Sequence, residues 1–422
     1  MARKRWLRGW KFGVLIALVI IGVLLYIVQD QEDLKVQSPV AATDPRFPDY
    51  IASLVGAPVE PGDHYVVLRN GDQAFPPMLD AVRKAKQRIN LETFMYGDGI
   101  IGDEFTREFA SAAQRGVTVR IVLDAMGGEL SSETEKTLTN AGVKLVHFNP
   151  MRPWSLEETN YRTHRKSMIV DGDLAFTGGM GISDHWIGNA QSPDNWRDTH
   201  FQVTGPAVRA LEASFYENWI ESGGGAAPAL DPEKPNQGTG ARSVVVWSNP
   251  TAGASNVKLF YLLSIASARS TIDVQSPYVV LDNSTQGALD EARKRGVRVR
   301  ILTDGEITDA KPVKHASRYL YQTLLESGYE IYEYEPTMMH VKALTVDGVW
   351  SIIGSANFDN RSFELNDELI VGISDPELAT ALVRDFEHDM TKATKLDAAT
   401  WGNRSMWKKV QEKFWSLFSE LF

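Results

Sequence analysis

Cysteine is absent from the 422-residue chain, which excludes disulfides, thiolate metal ligands and thiol nucleophiles together. An excess of positive charge is missing too, since 54 acids stand against 44 bases and the formal net charge is −10. Proteins that track a phosphate backbone usually carry a basic field, so no nucleic-acid partner is expected. Apolar residues at 43% and charged residues at 23% are close to the globular average and impose no class. At about 150 residues per domain the length suggests two or three domains.

The one long apolar run is Phe12 to Val28, preceded by Arg3, Lys4, Arg5, Arg8 and Lys11. As a helix at 1.5 Å per residue it covers roughly 26 Å, a little short of a ~30 Å hydrocarbon core. Trp6, Trp10 and Tyr26 suit the interface, and Lys11 can snorkel. A cleaved signal peptide has the same basic start and apolar core. The nearest small-residue site, Ala41 and Ala42, lies well beyond the run, which favours an uncleaved transmembrane helix. The positive-inside rule then makes the N-terminus cytoplasmic and puts the bulk of the chain across the membrane.

At the other end, residues 407–422 are amphipathic on a wheel of about 100° per residue. Trp407, Val410, Phe414, Trp415, Leu417, Phe418, Leu421 and Phe422 fall on one side; Lys408, Lys409, Glu412, Lys413, Ser416, Ser419 and Glu420 fall on the other. A helix docked on the core and a helix lying in a membrane interface both fit.

Between the ends the chain repeats itself. INLETF near Leu91 leads through a helical stretch to RGVTVRIVLDA from Arg115, and TIDVQSP from Thr271 leads to RGVRVRILTDG from Arg295. Each half reads as strand, helix ended by Gly116 or Gly296, and strand, a parallel βαβ unit. A second repeated pair carries chemistry. HRKSMIVD from His164 to Asp171 and HVKALTVD from His340 to Asp347 share the spacing HxKxxxxD, and small-residue turns, Gly178–Gly181 and Gly354–Asn357, come after them at equal distance. On an extended segment His and Lys two apart project to the same face, so His164 with Lys166, and His340 with Lys342, can meet one phosphate.

A neutral imidazole can attack phosphorus and a protonated one can deliver a proton to the departing alkoxide. Two lysines neutralise the charge that builds on the nonbridging oxygens. No metal or cofactor is then required. The metal alternative is also disfavoured by the lysine beside each histidine and the lack of a second closely spaced histidine in each repeat.

The duplicated HxKxxxxD motifs, the turn Gly354–Asn357 and the internal repeat resemble the phospholipase D superfamily. FTGGMGISDHW from Phe176, WRDTHFQVTGPAV from Trp196 and GSANFDNRSFELNDE from Gly354 are similar to segments of bacterial cardiolipin synthases. The resemblance implies an α/β fold of two similar phospholipase D-like domains from an internal duplication, packed face to face around one active site, and a phosphohistidine intermediate. It implies His164 as nucleophile and His340 as general acid, Lys166 and Lys342 on the phosphate, and Asn357 and Ser355 as substrate contacts. Asp198 and Glu368 become the carboxylates that orient the histidines, each expected to raise its histidine's pKa. Asp171 and Asp347 complete the catalytic motifs, although holding the local fold suits them better than touching substrate. One departure stands out: Gly179 and Gly181 occupy the places of Ser355 and Asn357, leaving Arg162, Arg165 or Ser183 to compensate.

The expected organisation is a basic stretch and anchor at 1–29, a spacer at 30–45, a first domain at 46–221, a Gly/Pro/Ala-rich linker at 222–242, a second domain at 243–400 and the amphipathic helix at 401–422. The expected activity is transfer of a phosphatidyl group between two phosphatidylglycerol molecules at a phospholipid membrane, giving cardiolipin and glycerol. A phospholipid-hydrolysing phosphodiesterase and a catalytically weak membrane scaffold are the alternatives. The implied location is the bacterial cell membrane, single-pass, with the catalytic domains on the outer side. Nothing in the sequence fixes an oligomeric state.

Overall fold

The computed structural model describes residues 33–150, 160–230, 240–250 and 255–422. The anchor expected at 1–29 lies outside them, as does residue range 231–239 of the linker. Among the described residues no helix is long and apolar enough to cross a membrane.

Seven strands form the sheet of the first half: β1 (Glu60–Arg69), β2 (Arg88–Thr93), β3 (Thr118–Asp124), β4 (Lys144–Phe148), β5 (Ser167–Val170), β6 (Leu174–Gly178) and β7 (Thr199–Thr204). Their spatial order is β1-β7-β6-β5-β2-β3-β4. The second half supplies β8 (Ala241–Trp247), β9 (Thr271–Gln275), β10 (Arg298–Asp304), β11 (Glu330–Tyr334), β12 (Ala343–Val346), β13 (Trp350–Gly354) and β14 (Leu369–Ser374). These run β8-β14-β13-β12-β9-β10-β11, the same order, extended by β15 (Ala393–Lys395).

The expected βαβ units are present. β2 pairs parallel with β3 across the helix Ile100–Gln114, and β9 with β10 across Asn283–Lys294. Gly116 and Gly296 come just after these helices at φ 92° and 90°, a left-handed conformation that glycine adopts without Cβ strain.

The halves meet edge to edge and not face to face. β1 pairs antiparallel with β8 through Glu60, Pro61 and Asp63, so one sheet of 15 strands runs through the molecule. An open strand edge exposes unpaired N–H and C=O groups, and β1 and β8 satisfy part of each other's edge. Helices Ala207–Glu221 and Pro376–Met390 add a shared core, in which Leu211, Phe215 and Trp219 join Val371, Ile373 and Leu378.

The boundary expected at residue 46 also needs correction. The helix Phe47–Val55, expected in the first domain, packs in the core of the second half. Phe47, Ile51 and Val55 recur at helical spacing, and Phe47 meets the edge of Trp350 at 5.0 Å between ring centroids. Burial of that apolar face determines which half the helix joins.

Candidate active site

The two HxK segments lead into β5 and β12, the corresponding central strands of the two halves. Each lysine folds back on its own motif: Lys166 Nζ donates to the His164 carbonyl at 2.9 Å and Lys342 Nζ to the His340 carbonyl at 2.8 Å. The backbone around each histidine is held by the opposite half. The His164 N–H donates to the Asp367 carbonyl at 2.8 Å, and the His340 N–H to the Arg197 carbonyl at 2.7 Å. Thr163 beside His164 is fixed further by Asp124, which accepts its N–H, and Glu92, which accepts its hydroxyl.

The side chains cross in the same way. His164 Nδ1 lies 2.9 Å from Glu368 Oε1, and His340 Nδ1 lies 2.7 Å from Asp198 Oδ2. A carboxylate accepts, so Nδ1 carries the proton in each pair and Nε2 keeps the lone pair when the ring is neutral. The two predicted supporting carboxylates are thus brought to the two predicted histidines, each from the other half.

Asp171 and Asp347 are not. They stand beyond the far ends of β5 and β12, whereas the histidines precede the near ends. Asp171 accepts the N–H groups of Lys86, Gln87 and Arg88, and Asp347 those of Arg269, Ser270 and Thr271. These backbone donors lead into β2 and β9, so the motif aspartates lock sheet register. Both have φ 53°, a left-handed turn conformation that Asp tolerates better than most residues.

The place of Ser355 differs from expectation as well. Its hydroxyl donates to Glu368 Oε2 and accepts the Leu369 N–H at 3.0 Å, so it positions the carboxylate. Asn357 gives its N–H to Ser362 Oγ at 3.0 Å, and its side-chain oxygen is buried without a protein partner.

The first-half glycines now have a physical account. A Cβ on Gly179 would lie 2.2 Å from Asp198 Oδ1, and one on Gly181 would lie 2.7 Å from the Met95 carbonyl and 3.3 Å from the Trp186 ring. Trp186 fills this space, and its Nε1–H donates to Asp198 Oδ2 at 2.9 Å. An indole therefore serves Asp198 as the Ser355 hydroxyl serves Glu368. Trp186 also meets the edge of His340 at 5.4 Å, and Trp196 lies tilted on it at 5.2 Å. His164 has Phe94 at 5.5 Å as its aromatic neighbour. Sequence reasoning missed Trp186; its trace was the pair of glycines where the repeat carries Ser and Asn. Two of the suggested compensators, Arg165 and Arg162, are otherwise engaged. Arg165 donates to the Ser214 and Ser248 carbonyls and to Glu217, and Arg162 to the Tyr161 and Asn149 carbonyls.

The electrostatics arise from burial among two cations and two anions. Burial pushes His164 down to about 4, with Lys166 and Lys342 adding to it and Glu368 opposing. Burial and then Lys342 push His340 down to about 3 against Asp198. The sequence-based expectation that the carboxylates raise the histidines is not met: both lie below their ordinary value, because desolvation and the lysines together outweigh the carboxylates. Burial holds Lys166 down to about 7, reinforced by Lys342, and Lys342 down to about 8. Although burial opposes ionisation, His164 and Lys166 hold Glu368 down to about 2, and His340 and Lys342 keep Asp198 below the usual carboxylate range. The site thus holds ionised carboxylates on neutral imidazoles, beside lysines that an anion would hold in the charged form.

The cardiolipin synthase, PLD-like domain family matches residues 78–191 and 261–390, which contain both HxK segments. The chain is 32% identical over 400 residues to cardiolipin synthase 1 of Bacillus anthracis, across 92% of this chain and 78% of that protein. It is 34% identical over 370 residues to the cardiolipin synthase of Geobacillus kaustophilus (strain HTA426), across 86% and 73%. The fold is similar to that of the phosphatidylserine synthase of Haemophilus influenzae Rd KW20, with a TM-score of 0.68 at 13% identity over 89% of this chain and 100% of that one. The repeated strand order, the paired motifs and these similarities over most of the chain lead to one assignment: the chain belongs to the family of cardiolipin synthases with phospholipase D-like domains.

Proposed function

We propose that the protein is a phosphatidyltransferase that makes cardiolipin from two phosphatidylglycerol molecules and releases glycerol. The carrying observation is the crossed pair of histidines, each with Nδ1 on a carboxylate and a lysine two residues away. His164 Nε2 attacks the phosphorus of the donor lipid, forming a P–N bond as the P–O bond to the glycerol headgroup breaks. His340 gives its Nε2 proton to the departing glycerol oxygen. The headgroup hydroxyl of the second lipid then passes its proton to His340 Nε2 and attacks phosphorus, forming the new P–O bond and releasing His164.

Lys166, Lys342 and the Asn357 side chain bind the nonbridging oxygens. The phosphodiester anion offsets the lysines that hold the histidines down, so substrate entry itself favours the protonated His340. The aromatic enclosure of His340 by Trp186 and Trp196 supports the division of roles, since it limits direct exchange of that proton with water. Phe12–Val28 acts as the single-pass anchor with the site on the outer face of the bacterial cell membrane, where lipid acceptors are present at high effective concentration. The matching strand order of the halves supports an origin by internal duplication.

The test is incubation of purified protein with labelled phosphatidylglycerol in mixed micelles without added metal. Cardiolipin and glycerol should form, with a phosphoprotein trapped on His164; phosphatidic acid as the main product would sink the transferase reading.

A further inference from the structure

The helix Met406–Ser416 is mounted with its apolar face outward. At about 100° per residue, Met406, Trp407, Val410 and Phe414 share one arc. All are exposed, Trp407 at 70%, and Leu417 continues the stripe just past the helix. The side toward the body carries Glu412, which is buried and paired with Arg404, itself stacked over Trp401 at 4.0 Å. The helix packs on Lys311–Glu326 through this polar side. A helix serving only the core would place the two faces the other way round.

The residues beyond this helix are tied to the site. The Phe422 carbonyl accepts the Arg361 N–H at 2.7 Å, and Glu420 accepts from the Asn360 side chain at 3.0 Å. Asn360 and Arg361 open the short helix Asn360–Glu364, whose Ser362 hydroxyl holds the Asn357 N–H. Arg361 also reaches Asn160, four residues before His164. The outward stripe is therefore fastened to the segment that enters the first motif and to the turn that carries Asn357.

We propose that this helix docks on the surface of an anionic lipid bilayer and sets the mouth of the site against it. The choice of lipid as occupant rests on the lipid-transfer reading above and on charge. With Glu412 paired to Arg404, the helix is left with three lysines and a net positive charge: Lys409 donates to the Gly402 carbonyl, Lys408 lies in the field of Glu306, and the exposed Lys413 borders the stripe. Trp407 and Phe414 are side chains that suit the headgroup boundary.

The absence of cysteine allows single cysteines, Trp407→Cys, Phe414→Cys and Lys408→Cys, to be coupled to an environment-sensitive fluorophore in the full chain, reconstituted in nanodiscs containing phosphatidylglycerol. Labels at 407 and 414 should be quenched by doxyl-labelled lipid and shielded from iodide, with the label at 408 showing the reverse. Iodide quenching at 407 and 414 as strong as at 408 would overturn the proposal. So would shielding from iodide without quenching by doxyl lipid, which would mean that a second copy of the chain covers the face. The readout is independent of turnover, so its failure and a failed cardiolipin assay are distinguishable.

Discussion

Glu368 stands 204 positions beyond His164, yet its Oε1 lies 2.9 Å from the Nδ1 of that imidazole. The reciprocal contact, Asp198 to His340, spans 142 positions at 2.7 Å. Neither half supplies the carboxylate that holds its own histidine's ring, so the paired site exists only when the two are joined.

Replacing either carboxylate by its amide should disable chemistry without unfolding the protein. In Glu368→Gln or Asp198→Asn the side-chain amide can donate to Nδ1, which moves the imidazole proton to Nε2 and removes the lone pair needed there. A loss of about 10³ to 10⁴ in kcat is expected on the precedent of histidine–carboxylate pairs elsewhere, with the thermal midpoint within a few degrees of the parent. Retention of near-parental turnover in both variants would refute the orienting role.

Trp186→Phe keeps a ring against His340 but removes the donor to Asp198. A charge-assisted hydrogen bond of about 1.5–3 kcal/mol corresponds to a fall in kcat of roughly tenfold to a hundredfold. KM should change little and the acid limb of the pH profile should shift, because the bond acts on Asp198 and not on substrate. Gly179→Ser should fail to restore it, since its Cβ would lie 2.2 Å from Asp198 Oδ1.

The lysines should give the protein an unusual alkaline stability profile. Held down to about 7 and about 8, Lys166 and Lys342 are deprotonated in the folded protein at pH values where the unfolded chain still binds those protons. The unfolded state therefore binds more protons between roughly pH 7 and 10, and stability rises with pH there, by up to about 1.4 kcal/mol per pH unit for each lysine. That contribution is lost as pH falls through the folded values. Thermal unfolding from pH 7 to 9.5 should show a steeper rise for the parent than for Lys166→Met; identical slopes would contradict the assignment.

Asp171→Ala and Asp347→Ala should behave as stability mutants. Each removes the acceptor of three backbone N–H groups at a strand entry. A cost of about 2–4 kcal/mol is expected, several modest hydrogen bonds lost together at a partly exposed turn, while the kcat of the folded fraction stays close to parental. Loss of turnover with an unchanged thermal midpoint would instead place these carboxylates in the chemistry.

Much of the site was legible because its information is local. The HxK spacing places His and Lys on one face of an extended segment, and the repeat says that there are two such faces. Asp198 and Glu368 were selected by family resemblance alone. Strand periodicity and the helix-ending glycines gave the βαβ units.

Tertiary structure decided which groups oppose one another. It crossed the carboxylates between halves, joined the sheets through β1 and β8, and drew Phe47–Val55 into the second half's core. It put an indole where the repeat has a hydroxyl, which explains the two glycines that had looked like a loss. At the C-terminal end the sequence wheel ran one helix to residue 422 with a single apolar face, whereas the structure ends the helix at Ser416 and half-buries Trp415, Phe418, Leu421 and Phe422, turning Glu412 inward and Trp407 outward. The sequence by itself determined the reactive groups and the faces of the elements that carry them, because covalent spacing fixes those. Pairing across hundreds of residues, and which face meets water, were decided by how the whole chain buries its apolar surface and satisfies its polar groups.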